Sequence, residues 1–172
     1  GHLSLYQLTI EPGTRFATLV AQGKLTPADP DHGATLYELT QAMTGAAGIP
    51  AYEISNHARP GQESRHNLTY WRYGQYVGVG PGAHGRIMID GNRYATRAHR
   101  APEIWRDRAL NMGHGAHPFD ALDTRSAAEE ALMMNLRLTD GIDKKHFYAV
   151  TGMNLIDILD MQKCDMLQNE GF

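Results

Sequence analysis

The chain has 172 residues, 42% of them hydrophobic, and a formal net charge of −3 at pH 7, enough to bury one sizeable core, or one core and part of a second. That balance shows neither the basic excess of a general nucleic-acid binder nor the acidic runs of a solvating tail. No apolar run approaches the roughly 20 residues of a membrane-spanning helix, and Gly1-His2-Leu3-Ser4 lacks the basic and apolar regions of a signal peptide, so a cytoplasmic protein is expected. One cysteine, Cys164, makes neither an internal disulfide nor a thiolate cluster site, and any iron–sulfur cluster would need ligands from outside this chain.

The β-prone run Leu3 to Ile10 predicts a strand that ends at the turn residues Glu11-Pro12-Gly13-Thr14. An apolar strand so close to the first residue needs neighbours on both sides, which suggests part of a longer protein. Asp31 after Pro30 can cap a helix carrying Leu36, Leu39 and Met43 on one face, with Gly45 to Gly48 and Pro50 to stop it. Ala51 to Ser55 reads as the next strand. Strand, helix, strand in that order predicts a parallel α/β unit, whose function-bearing loops follow the strands. The loop expected from Asn56 to Tyr76 is dense in polar and aromatic groups: His57, Arg59, Arg65, His66, Asn67, Tyr70, Trp71 and Tyr73.

Val77 and Val79 alternate with glycines over Tyr76 to Gly85, a strand pattern open to close backbone approach. Arg86 to Asp90 and Arg93 to Arg97 flank Gly91-Asn92, a hairpin turn. Four helices are expected after Pro102. They carry Ile104, Trp105 and Leu110; then Ala128, Leu132 and Leu136 behind a cap at Thr124; then Phe147 and Val150; and last Leu155, Ile158, Leu159 and Met166. Gly, His, Pro and Asp cluster over 113–123, which places a boundary between a first domain, 1–115, and a helical accessory domain, 116–172.

Three segments carry chemistry. In His66-Asn67-Leu68-Thr69-Tyr70-Trp71, a neutral imidazole suits haem iron, Tyr70 and Trp71 offer flat faces to a porphyrin, and Arg59, Arg65 and Arg72 can pair propionates. The same residues also fit a loop hydrogen-bonded to itself over a core of Tyr70 and Trp71, the commoner fate of a loop histidine. Gly78 to Gly85 allows close approach of a planar or phosphate-bearing group, or simply tight packing of a bulged strand; Pro81 rules out the dinucleotide fingerprint. Gln7, Thr9 and Glu11 at a strand end can orient a cofactor's amino and carboxylate groups, or lie solvated in a turn.

The strings His2 to Thr14, Tyr52-Glu53-Ile54-Ser55-Asn56, and Arg65 to Trp71 through Gly80 to Gly85 resemble the HemW branch of the radical-SAM family of oxygen-independent coproporphyrinogen III oxidase-like proteins. The second half is similar more loosely, through Glu129-Glu130, Met133, Leu136-Arg137-Leu138 and Gly141-Ile142. The resemblance implies an α/β fold, the C-terminal strands of a radical-SAM partial barrel followed by a small helical accessory domain. It also implies a four-iron four-sulfur cluster held by three cysteines that this chain does not contain. S-adenosylmethionine would face Gln7, Thr9, Gly82, Ala83 and His84. Haem would be held by His66 as iron ligand, with Asn67, Tyr70 and Trp71 shaping or stacking on the macrocycle. The implied function is a haem-binding chaperone that delivers haem to acceptor haemoproteins. The alternative is an oxidase that generates a deoxyadenosyl radical for oxidative decarboxylation of a porphyrinogen propionate, the cofactor supplying the radical and the protein its position.

Overall fold

The structure, a computed structural model, describes residues 1–171 and divides into two compact units, Gly1–Ser64 and Arg65–Phe172. Each is a mixture of helices and short strands, the α/β class expected.

The first unit contains β1 (His2–Ser4), α1 (Arg15–Ala21), α2 (Pro30–Ala46) and β2 (Asn56–Ala58). Thr14 caps α1, its hydroxyl accepting from the Ala17 amide at 3.3 Å, where the sequence predicts only a turn. At α2 the cap position is Asp29, not Asp31, because Pro30 occupies the first helical position, where its missing N–H costs nothing. Asp31 falls in the first turn, where a carboxylate suits the helix dipole.

The parallel pairing expected between the flanking strands is corrected. β1 and β2 run antiparallel, with Leu3 opposite His57. The reason is a tight reversal: Ala51 also bridges His57, and the Tyr52 amide donates to the Asn56 carbonyl at 3.0 Å. The chain leaves α2, enters at Ala51, turns over Tyr52 to Ser55 and returns as β2, between β1 and the isolated bridge at Ala51. Glu53 stabilises that turn, its buried carboxylate accepting from the Ser55 amide at 2.9 Å and from the Asn56 side chain. β1 is also shorter than expected, since residues beyond Leu5 leave the ladder.

The second unit begins with α3 (Arg65–Trp71), followed by β3 (His84–Ile89), β4 (Asn92–Arg97), α4 (Pro102–Met112), β5 (Asp120–Leu122), α5 (Thr124–Asn135), α6 (Lys144–Thr151) and α7 (Met161–Asn169). β3, β4 and β5 form one antiparallel sheet in that order. The hairpin forms, but its turn residues are Asp90 and Gly91, both at positive φ (50° and 78°), one place earlier than expected. The strand expected over 76–80 is an irregular segment joined to β3 by a bridge from Tyr76 to Arg86.

Asp123, rather than Thr124, caps α5, accepting from the Ser126 amide at 2.8 Å. The last expected helix is broken: a 3-10 turn covers Leu155–Asp157, and Asp160 caps a new start at α7. The core of this unit is Ala127, Ala128 and Ala131 of α5 against Phe147 of α6 and Tyr73, with Leu132, Val150, Leu155 and Ile158 packed around them. Three small residues on one face let α6 approach closely, and Phe147 fills the gap with no exposed surface. β5 precedes α5 by one residue and pairs with β4, so the sheet draws on residues either side of the boundary expected near 115.

Candidate functional site

The whole motif from His66 to Trp71 lies on a helix, α3, rather than a loop. Helical spacing puts His66 and Tyr70, four residues apart, on one face. Their rings meet edge to face at 4.7 Å between centroids, and the Tyr70 hydroxyl lies 3.0 Å from His66 Nε2. His66 Nδ1 is 3.4 Å from Asn67 Oδ1. With the proton on Nδ1, Nε2 would accept from the phenol, and a metal would have to displace that bond to use the lone pair. His66 is exposed, and Tyr70 is backed by Tyr76 at 4.4 Å. Trp71 turns the other way. Its ring lies beneath the Arg137 guanidinium at 4.4 Å, and its indole N–H is buried with no partner among the described residues.

A polar network fixes the end of α3. Tyr73, at φ 56°, terminates the helix and donates to Glu130 Oε2 of α5 at 2.7 Å. Arg86 of β3 grips the same carboxylate with two bonds of 2.8 Å. The Arg93 guanidinium of β4 lies 4.3 Å over the Tyr73 ring and donates to the Tyr73 and Val150 carbonyls. Burial and the Glu130 hydrogen bond push the Tyr73 phenol well up from its ordinary pKa. Burial pulls the Glu130 carboxyl upward, but the bonds from Arg86 and Tyr73 outweigh it and leave its pKa lowered. His146 of α6 adds a bond to the Arg72 carbonyl at 2.7 Å. Sequence reading missed this network because its members pair across 44 and 57 residues and no local spacing betrays them.

The positions expected to face S-adenosylmethionine fall in both units. In the first, Gln7 donates to the Gly33 carbonyl at 2.6 Å and Thr9 is exposed. In the second, the Gly82 amide donates to His99 at 3.0 Å, the Ala83 carbonyl accepts from Ala98 at 2.8 Å, and His84 is exposed on β3. The glycines nearby serve packing. A Cβ on Gly78 would sit 2.3 Å from the His84 carbonyl oxygen, and one on Gly85 would sit 2.5 Å from Thr96 Oγ1.

The donor set fits one cofactor and not another. An exposed imidazole whose second nitrogen faces an amide oxygen fits an axial haem ligand, which needs one side chain. A four-iron cluster needs three or more thiolates, and the chain has one cysteine. Among the described residues no group of three His, Cys, Asp or Glu is arranged to hold a metal ion, and no helix is long and apolar enough to cross a membrane.

The fold has a counterpart among solved structures. It is similar to Escherichia coli coproporphyrinogen III oxidase (HemN), with a TM-score of 0.69 at 16% identity, over 99% of this chain and 41% of that one. The family described as the HemN C-terminal domain matches residues 122–172. The chain is 38% identical over 154 residues to the haem chaperone HemW of Bacillus subtilis, covering 90% of this chain and 40% of that protein. To HemW of Escherichia coli K12 it is 36% identical over 155 residues, 88% and 38% of the two chains. It is also 43% identical over 150 residues to radical S-adenosyl methionine domain-containing protein 1, mitochondrial, of Bos taurus, 85% of this chain and 34% of that protein. The chain is thus similar along most of its length to HemN-like radical-SAM proteins, haem chaperones named HemW among them. It spans between a third and a half of the length of these relatives.

Proposed function

We propose that this chain is the C-terminal part of a haem chaperone, which holds haem and passes it to acceptor haemoproteins. The observation that carries the reading is the exposed His66 imidazole, set on α3 with its Nε2 3.0 Å from the displaceable Tyr70 hydroxyl. Haem is cargo here, so the ligand must bind and release. An exposed imidazole with a competing hydrogen-bond partner suits that better than a buried, preorganised one. Asn67 would hold the ring tautomer, Tyr70 would shape the macrocycle site, Trp71 would have to turn out from beneath Arg137 to join it, and Arg65 and Arg72, both exposed, would meet propionates.

The longer protein would bind S-adenosylmethionine and a four-iron four-sulfur cluster across a partial barrel, with its cluster cysteines outside this chain. Gln7 and Thr9 in the first unit and Gly82, Ala83 and His84 in the second are the positions proposed to face the cofactor. A division into 1–115 and 116–172 and a cytoplasmic location are part of the same proposal.

The test is haem titration of the full-length protein, followed by its absorption spectrum. The His66→Ala variant is expected to lose the imidazole–iron signature and to weaken binding about tenfold or more. An unchanged spectrum in that variant would remove His66 as ligand. Turnover of coproporphyrinogen under anaerobic conditions with S-adenosylmethionine and reductant would move the protein to the oxidase class.

A further inference from the structure

The second unit gathers cationic side chains where the end of β4 meets α4. The Ala98 to Ala116 bridge, with the His117 amide donating to the Arg97 carbonyl at 2.8 Å, sets His117 opposite Arg97. Alternation along an extended chain puts Arg97 and His99 on the same face as His117. The two imidazole rings stack there, 5.5 Å between centroids and 28° between planes. Arg108 comes from α4. A Cβ on the buried Gly115 would sit 2.3 Å from the Trp105 ring, so glycine at that position lets the segment carrying His117 lie against α4. Arg108 is three residues beyond Trp105, on the same side of the helix.

No ion pair neutralises the two guanidiniums. Among the described residues Arg86, Arg106 and Arg125 pair with carboxylates, whereas no carboxylate pairs with Arg97 or Arg108. Burial, then the charges of Arg97, Arg108 and His99, hold the His117 imidazole below its ordinary pKa, and Asp120 opposes them with less effect. His99 Nδ1 accepts from the Ala101 amide at 3.2 Å, which leaves its Nε2–H as a donor. The cluster therefore offers donors and positive charge from three segments, held in place by the bridge, the ring stack and the Gly115 contact. Like charges gathered in this way repel one another, and an anion relieves that repulsion. Its natural complement is an oxyanion, which accepts charge-assisted bonds from several directions at once.

We propose that Arg97, His99, Arg108 and His117 form a binding site for an oxyanion, the phosphate or carboxylate group of a small ligand. The site goes beyond the haem reading and needs no part of it. On the other side of β4, Arg97 is opposite His84, one of the positions proposed to face S-adenosylmethionine. A separate site must therefore hold its anion with that cofactor present.

The experiment is calorimetric titration of the full-length protein with inorganic phosphate and with succinate, repeated with S-adenosylmethionine present. At least one of the two anions is expected to bind, and Arg97→Gln and Arg108→Gln are each expected to weaken it about fivefold. Arg106→Gln removes the same charge from α4, where it is already paired with Asp107, and should change binding less than about twofold. Arg97 is exposed and Arg108 half-buried, so neither substitution threatens the fold. The nuclear magnetic resonances of the His117 ring, assigned with His117→Gln, should move when the anion is added. Binding of phosphate alone identifies a phosphate ligand and binding of succinate alone a carboxylate ligand; either result, or both, keeps the site. No binding of either anion, equal weakening by all three arginine substitutions, or His117 resonances that stay in place overturns the proposal. Loss of the anion on adding S-adenosylmethionine also overturns it, because the cluster would then belong to that cofactor, and leaves the haem reading untouched.

Discussion

At the level of single residues, the Tyr70 hydroxyl sits 3.0 Å from the Nε2 atom that the chaperone reading assigns to iron. Tyr70→Phe keeps the ring against Tyr76 and removes the competing bond, so haem affinity measured by titration is expected to rise roughly threefold. Unchanged or weaker binding would show that the phenol helps hold the macrocycle instead. Glu130 offers a pH test. Its folded pKa is lowered, so it contributes stability that is present above its unfolded pKa and lost as pH falls through the folded value. The midpoint of thermal unfolding should therefore fall steeply below about pH 4, and Glu130→Gln should flatten that part of the profile. The same substitution is expected to cost about 2 kcal/mol at neutral pH, because Arg86 and Tyr73 keep their places and lose a charged acceptor.

Among the elements, caps and close approaches decide local geometry. Asp143 accepts from both the Lys145 and His146 amides at the start of α6, so Asp143→Ala is expected to cost about 1 kcal/mol in chemical denaturation. His146 follows directly, and its bond to Arg72 ties α6 to the residue after α3, so fraying there would loosen the helix that bears the motif. Gly78→Ala would drive a Cβ into the His84 backbone, which cannot swing aside as a side chain can. A loss of about 1–3 kcal/mol is expected, read as a lower denaturation midpoint. If that variant were as stable as wild type, the tight reversal onto β3 would not exist in solution.

Across the whole chain, apolar burial is uneven. The second unit holds a contiguous core around Phe147, whereas in the first Leu36, Leu39 and Met43 of α2 remain 43%, 52% and 64% exposed. Hydrogen exchange of this chain should accordingly show its strongest protection in α5, α6 and the β3–β4 hairpin and rapid exchange in α2. Equal protection of α2 and α5 would contradict that distribution of stability.

Local chemistry made several features legible from sequence. Pro30 at one end and Gly48 with Pro50 at the other bracket α2, the hairpin was legible although its turn lies one residue earlier, at Asp90-Gly91, and the apolar spacing of 128–136 marks α5. The His66 motif was visible as a cluster but not as a helix, because its short length and aromatic content carry little periodic signal. The direction of β2 was not legible at all. A strand–helix–strand order implies a parallel pair, and only the four-residue reversal at Tyr52 to Ser55, held by the buried Glu53, inserts the antiparallel strand. By itself the sequence determined the likeness to HemW proteins, since the strings that carry it are local. The tertiary structure decided which residues meet: Tyr73 with Glu130, His66 with Tyr70, and His99 with His117. Such meetings depend on packing between distant segments, which no window of neighbouring residues encodes.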